Sequence, residues 1–246
     1  MIFKNLIPRI VVFAMMVTIL SSCGKGDEDP SLKILVGELL DVQGNKYKTV
    51  HLGDQEWMAE NLRTTMYADM SIIPEVRDDT QWAELKTGAL CNYNNDPDNG
   101  EKFGLLYNWF AVNSKKQLAP VGWHVATADD WEELNRWLDQ NPLVTKSKAK
   151  ALAAASDWKQ SVLNLDGEPA KDISLNNTTG FSALPTGYRI DGKFEQQGYL
   201  SFWWTSTSSF PYMSIYYALM HNDYKLAFTD HAHEVGMPVR YVRNKQ

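Results

Sequence analysis

Apolar and polar positions are most sharply patterned between Gly122 and Leu138, where a strand-like run gives way to helical spacing. Thr127 stands where an N-cap would, with Asp130 three residues later. Its hydroxyl can accept from a free amide, while Asp129 and Asp130 face the positive helix end. Trp131, Leu134, Trp137 and Leu138 then fall on one face. Two indoles on one short helix need a broad apolar surface, such as the face of an antiparallel sheet.

Elsewhere the pattern is of short strands and turns. Leu40 and Val42 lead into Gly44-Asn45 and Lys46 to Leu52 lead out, which predicts a hairpin over Gly37 to Leu52. Gln55 to Leu62 reads as a short helical or irregular segment burying Trp57, Met58 and Leu62, and Ala149 to Ala155 as part of a short surface helix. Strands are predicted at Phe181 to Leu184, Tyr199 to Thr205, Ser214 to His221 and Met237 to Val242, with turns at Asp191-Gly192 and Asn222-Asp223. In the last strand Val239 and Tyr241 alternate with Arg240 and Val242, giving one polar-edged face. The fold class is α+β.

Composition bounds this picture. A chain of 246 residues that is 44% apolar can bury one sizeable core, so one domain is expected. A net charge of −6 with no block of Lys and Arg argues against nucleic acid as a partner.

The first residues are of another kind. Lys4 and Arg9 precede an apolar run from Ile10 to Leu20, too short for a membrane span but fitting an export signal. Leu20-Ser21-Ser22-Cys23 then resembles the lipobox of a bacterial lipoprotein, in which residues 1–22 are removed and Cys23 is lipidated. Residues 23–36 form a solvated tether, and residues 37–246 the folded domain. The acidic stretch Asp27-Glu28-Asp29 resembles the signal that exports Bacteroidetes lipoproteins to the outer face of the outer membrane; on composition alone it is a linker. With Cys23 used, Cys91 has no partner for an internal bridge and reads as a buried small hydrophobe.

A family emerges from the ordered motifs. Tyr47-Lys48-Thr49-Val50 and Trp57-Met58-Ala59-Glu60-Asn61-Leu62 are followed in register by Cys91-Asn92-Tyr93-Asn94-Asn95-Asp96, Gly104-Leu105-Leu106-Tyr107-Asn108-Trp109 and Gly122-Trp123-His124. Gly180-Phe181-Ser182-Ala183-Leu184-Pro185, Trp204-Thr205-Ser206-Thr207 and Val239-Arg240-Tyr241-Val242-Arg243 complete the series. The whole resembles the Fibrobacter succinogenes major paralogous domain, common in surface lipoproteins of Bacteroidetes. The resemblance implies a fold like the C-type lectin-like and formylglycine-generating-enzyme-like domains, with small antiparallel sheets, in which terminal strands pair, short helices pack on a small sheet and a long irregular half follows. Relatives often carry Cys where this chain has Tyr241, so a bridge from Cys91 to that strand is not available here.

Candidate chemistry is sparse. Asn94 to Glu101 spaces oxygen donors around Gly100, so Asp96 and Asp98 could help hold calcium, or the same residues could make ordinary turns. Asp230-His231-Ala232-His233-Glu234 lacks further zinc ligands at a recognisable spacing and reads as a solvated loop. His124 beside Trp123 reads as a core or supporting residue. No nucleophile motif, cysteine pair or phosphate-cradling loop is present, so a non-enzymatic role is expected. The aromatic and hydroxyl cluster from Tyr199 to Tyr212 is the richest surface candidate. Trp203 and Trp204 must point to opposite faces of a strand, so with Trp204 in the core Trp203 could be exposed. Tyr199, Trp203 and Asn94 are thus the expected ligand contacts. The expected role is binding or adhesion by a lipid-anchored outer-membrane protein at the cell surface, with a glycan or surface polymer as ligand. A structural subunit of an envelope protein complex is the alternative, and an envelope enzyme a more distant one.

Overall fold

Lys46 and Lys48 face solvent while Tyr47 and Thr49 are buried, the period-two pattern of a half-buried strand. The computed structural model describes residues 35–141, 144 and 146–244, so the export signal, Cys23 and the tether through residue 34 lie outside the described residues. In chain order the strands are β1 (Val36–Leu40), β2 (Lys46–Leu52), β3 (Gln55–Met58), β4 (Leu90–Cys91), β5 (Leu106–Tyr107) and β6 (His124–Val125). After them come β7 (Tyr188–Ile190), β8 (Lys193–Glu195), β9 (Leu200–Phe210), β10 (Met213–Met220), β11 (Ala227–Ala232) and β12 (Tyr241–Asn244). The helices are α1 (Asp79–Ala83), α2 (Pro97–Phe103), α3 (Trp109–Val112), α4 (Ala128–Gln140) and α5 (Lys148–Leu152).

The main sheet runs β1-β2-β3-β12-β6 with every neighbour antiparallel, so the last strand closes against the first hairpin. A second sheet runs β11-β10-β9, and β4-β5 and β7-β8 form small hairpins. The architecture is mixed α and β, with small antiparallel sheets and few helices. Helix α4 forms as its sequence dictates: Thr127 and Asp130 make a reciprocal capping box, and Trp131, Leu134 and Leu138 are buried. Trp131 lies at the junction of the two large sheets. Its ring stands 4.8 Å from Trp57 of β3, 5.4 Å from Trp203 of β9 and 5.0 Å from Tyr217 of β10.

Several sequence expectations need correction. Gln55–Met58 is a strand, not a helical segment; all four residues are buried because both faces are covered, Trp57 packing on Trp131 of α4 and Met58 clustering with Tyr47 and Tyr241, which erases the alternation that marks a strand. Helix α5 is buried from Ala149 to Leu152 rather than lying on the surface. Phe181 to Leu184 forms no ladder, with only a single bridge from Ala183 to Ala153. Strand β12 begins at Tyr241, and Arg240 just before it is 1% exposed, so neither face there is polar-edged. Asp230 to Ala232 belongs to β11, and His233 is buried.

Candidate functional site

The joint between β6 and α4 builds a hydrogen-bonded site. Asp130 Oδ2 accepts from Thr127 N at 2.8 Å, from Thr127 Oγ1 at 2.6 Å and pairs with His124 Nε2 at 2.9 Å. Gln55 Nε2 reaches the Asp130 carbonyl at 3.0 Å and ties the joint to β3. Burial pushes the Asp130 carboxyl upward, but hydrogen bonds from His124 and Thr127 outweigh it and hold the group below its ordinary value. A carboxylate fixed at Nε2 makes that nitrogen the donor and leaves Nδ1 of the neutral ring as an acceptor. The His124 side chain is 43% exposed, so the oriented imidazole faces outward.

Beside it lies a pocket of about 200 Å³ lined by Trp123, His124 and Ser206, with Asn113 and Gln117 on its wall and Leu118 and Val125 beneath. Of the nine tryptophans, all but Trp123 and Trp137 are buried. Trp137 is pressed on Gly53, whose missing Cβ would lie 2.8 Å from the indole. Trp123 is therefore the indole placed on an open pocket. The Arg243 guanidinium stacks 4.6 Å from its ring, and Glu56 Oε2 holds that guanidinium at 2.6 Å. The pocket thus combines an aromatic ring, an imidazole held by Asp130, and residues with side-chain amides and apolar side chains. The Ser206 hydroxyl donates to the Val125 carbonyl at 3.2 Å.

The residues expected from the sequence are scattered by comparison. Trp203 is fully buried, and its Nε1 donates to Asn61 Oδ1 at 2.9 Å, so it is no surface contact. It does point opposite to Trp204, but both faces of β9 are covered: α4 packs on one, and Tyr107 and Val235 accept from the Trp204 indole on the other. Tyr199 is half-buried, edge-on to His221 at 5.0 Å with the Lys159 ammonium 4.7 Å over its ring. Asn94 is exposed in a tight turn at φ 55°. Asp96 caps α2 by accepting from Asp98 N at 3.0 Å, and Asp98 sits exposed in the helix's first turn. Among the described residues no group of three or more His, Cys, Asp or Glu side chains is placed to hold a metal ion. The turn reading of the calcium candidate is the one that the local hydrogen bonds support. Burial pushes the Cys91 thiol up to about 12, which makes it unreactive.

The His231–His233 segment is not a solvated loop. His233 stacks on Trp109 with ring centres 4.2 Å apart, and its Nε2 meets Ser214 Oγ at 3.0 Å. Burial holds both imidazoles below the ordinary value of 6.5. The unfolded chain therefore binds protons first, so stability is full above pH 6.5 and falls as pH drops through the folded values. Urea midpoints measured at about pH 7.5 and about pH 5.5 are expected to decrease, with a smaller decrease in His233→Gln. An equal decrease in that variant would assign the loss to other groups.

The family model described as the Fibrobacter succinogenes major domain matches residues 50–243 of this chain. No curated protein and no solved structure matches it.

Proposed function

Because the chain belongs to the Fibrobacter succinogenes major domain family, we propose that it is a non-enzymatic binding module of the cell envelope, with a C-type lectin-like fold. It is anchored in the outer membrane through a lipid on Cys23, exposed at the cell surface, and recognises a sugar unit of a glycan or surface polymer. The observation that carries the binding reading is the Trp123–His124 pocket. A half-buried indole offers a stacking face, the Asp130-oriented imidazole offers one acceptor, and Asn113 and Gln117 offer amides to hydroxyl groups. At about 200 Å³ it is smaller than the roughly 300 Å³ at which pockets begin to enclose drug-sized ligands, which suits a single ring. The pairing of β12 with β3, which joins the two ends of the domain in one sheet, is in keeping with the lectin-like fold.

The test is a broad glycan array probed with the purified protein and with Trp123→Ala and His124→Ala. Binding to a defined set of glycans that falls at least about tenfold in both variants supports the reading. Binding that survives both variants would move the site elsewhere. A second reading, a subunit of an envelope protein assembly, draws on the β9–β10 hairpin tip, where Phe210 is 62% and Tyr212 80% exposed around Pro211. Silence on the array together with cross-links to envelope proteins that vanish in Phe210→Ser/Tyr212→Ser would favour it.

A further inference from the structure

Arg189 and Arg240 are both buried to within 1% of completely, yet the chain treats them differently. Arg189 has a carboxylate: its Nη2 lies 2.8 Å from Asp79 Oδ1, its other donors reach backbone carbonyls, and Trp82 and Phe194 each stack at 4.6 Å. Arg240 has no carboxylate within ion-pair distance among the described residues. Its Nε donates to Asn61 Oδ1 at 2.9 Å, Nη1 to the carbonyls of Met58 at 3.0 Å and of Phe181, and Nη2 to the Ser182 carbonyl at 3.2 Å. All four acceptors are neutral. Phe181 at 4.1 Å and Trp203 at 5.5 Å add cation–π contact, but a buried guanidinium without a counter-charge remains costly.

The orientation of the group shows where a counter-charge would fit. Four of the five guanidinium N–H groups are used, and the fifth is on Nη2. The Nε and Nη1 bonds are buried, whereas the Nη2 bond is only partly so. Arg240 and Ser182, whose carbonyl accepts the Nη2 bond, both line a cleft of about 450 Å³, which shares no residue with the Trp123–His124 pocket. On the cleft wall Glu60 pairs with Arg63 at 3.0 Å, and Lys102 pairs with Asp157 just outside it. Glu101 is the remaining acid, exposed on α2 and screened by water.

We propose that this cleft binds an anionic group, a carboxylate or a sulfate, with Arg240 Nη2 as its charged donor. The ligand supplies to Arg240 what Asp79 supplies to Arg189. Burial pushes the Arg240 pKa down to about 9, against an opposing pull from Glu60, so the guanidinium keeps its charge at neutral pH. The site stands independently of the sugar pocket.

Thermal melting and calorimetric titration at constant ionic strength test it, using galacturonate, sulfate and, as neutral control, galactose. The experiment is run in the Trp123→Ala background, so that binding at the other pocket cannot contribute. Galacturonate is expected to bind and raise the melting midpoint while galactose does neither; a matching response to sulfate would make the anion itself the ligand, and its absence would make the sugar carboxylate so. Ala155→Asp places a carboxylate on an exposed position of the cleft wall. It is expected to raise the midpoint unaided and to weaken the anion at least about tenfold. Failure of both anions to act, an equal response to galactose, or an Ala155→Asp affinity unchanged from the parent would each overturn the proposal.

Discussion

Asn61→Ala is expected to cost about 4 kcal/mol or more of folding stability, a large share of what a domain of this size usually has. The side chain is 5% exposed and serves four partners. Oδ1 accepts from Trp203 Nε1 and Arg240 Nε, both at 2.9 Å, while Nδ2 donates to the Phe103 carbonyl at 2.8 Å and Thr186 Oγ1 at 3.1 Å. Alanine leaves an indole N–H and a guanidinium N–H without their acceptor, each costing about 1–3 kcal/mol, and it removes one bond each from the Phe103 carbonyl and the Thr186 hydroxyl, which keep the bond between them at 3.4 Å. Asn61→Asp keeps the acceptor and gives Arg240 a counter-charge, but it loses both amide donors. It is expected to recover part of the loss. Urea denaturation measures both variants, and a loss below about 1 kcal/mol for alanine would mean that water replaces the amide at little cost.

The second large effect belongs to Trp203. Trp203→Ala is expected to lose about 3–5 kcal/mol, the range for emptying a large aromatic site in a packed core. The indole packs 5.4 Å from Trp131 and 5.8 Å from Phe181, and its N–H is the one held by Asn61. Because the two residues share a bond, the double variant with Asn61→Ala should lose less than the sum of the single losses. Sugar binding of the fraction that remains folded is expected to be unchanged. Trp123→Ala should do the reverse, with a small change in stability and loss of binding. Denaturation curves beside binding isotherms separate the two. A stable Trp203→Ala protein with lost binding would return the site to β9.

The contrast between these indoles reflects what local sequence carries. Helix α4 was legible because its cap and its 3.6-residue apolar spacing are set within one stretch of chain. The β1–β2 and β7–β8 hairpins were legible for the same reason, although β1 and β2 are joined by the loop of residues 41–45 rather than by a two-residue turn at Gly44-Asn45. Strand β3 was not, since burial on both faces removes alternation, and its partner β12 lies nearly two hundred residues away. Opposed orientation of Trp203 and Trp204 followed from strand geometry, but whether either face was open depended on α4 and on Val235 folding over it. The same limit applies to the site. Trp123 and His124 were singled out as a motif, yet their exposure is decided by Asn113, Gln117 and Ser206 from other segments. Arg240 looked like part of the polar-edged face of a strand because its acceptors, Asn61, Met58, Phe181 and Ser182, are remote in sequence.

The most direct test of the binding site is ¹⁹F NMR of the protein labelled with 5-fluorotryptophan, titrated with single neutral sugars chosen from the glycans bound on the array. Nine resonances are expected from nine tryptophans, and Trp123→Phe identifies one of them. A saturable shift confined to the Trp123 resonance, with the Trp203 signal unmoved, is the expected result. A shift at other tryptophans with Trp123 unaffected, or no shift from any sugar, would contradict the placement of the site at Trp123 and His124.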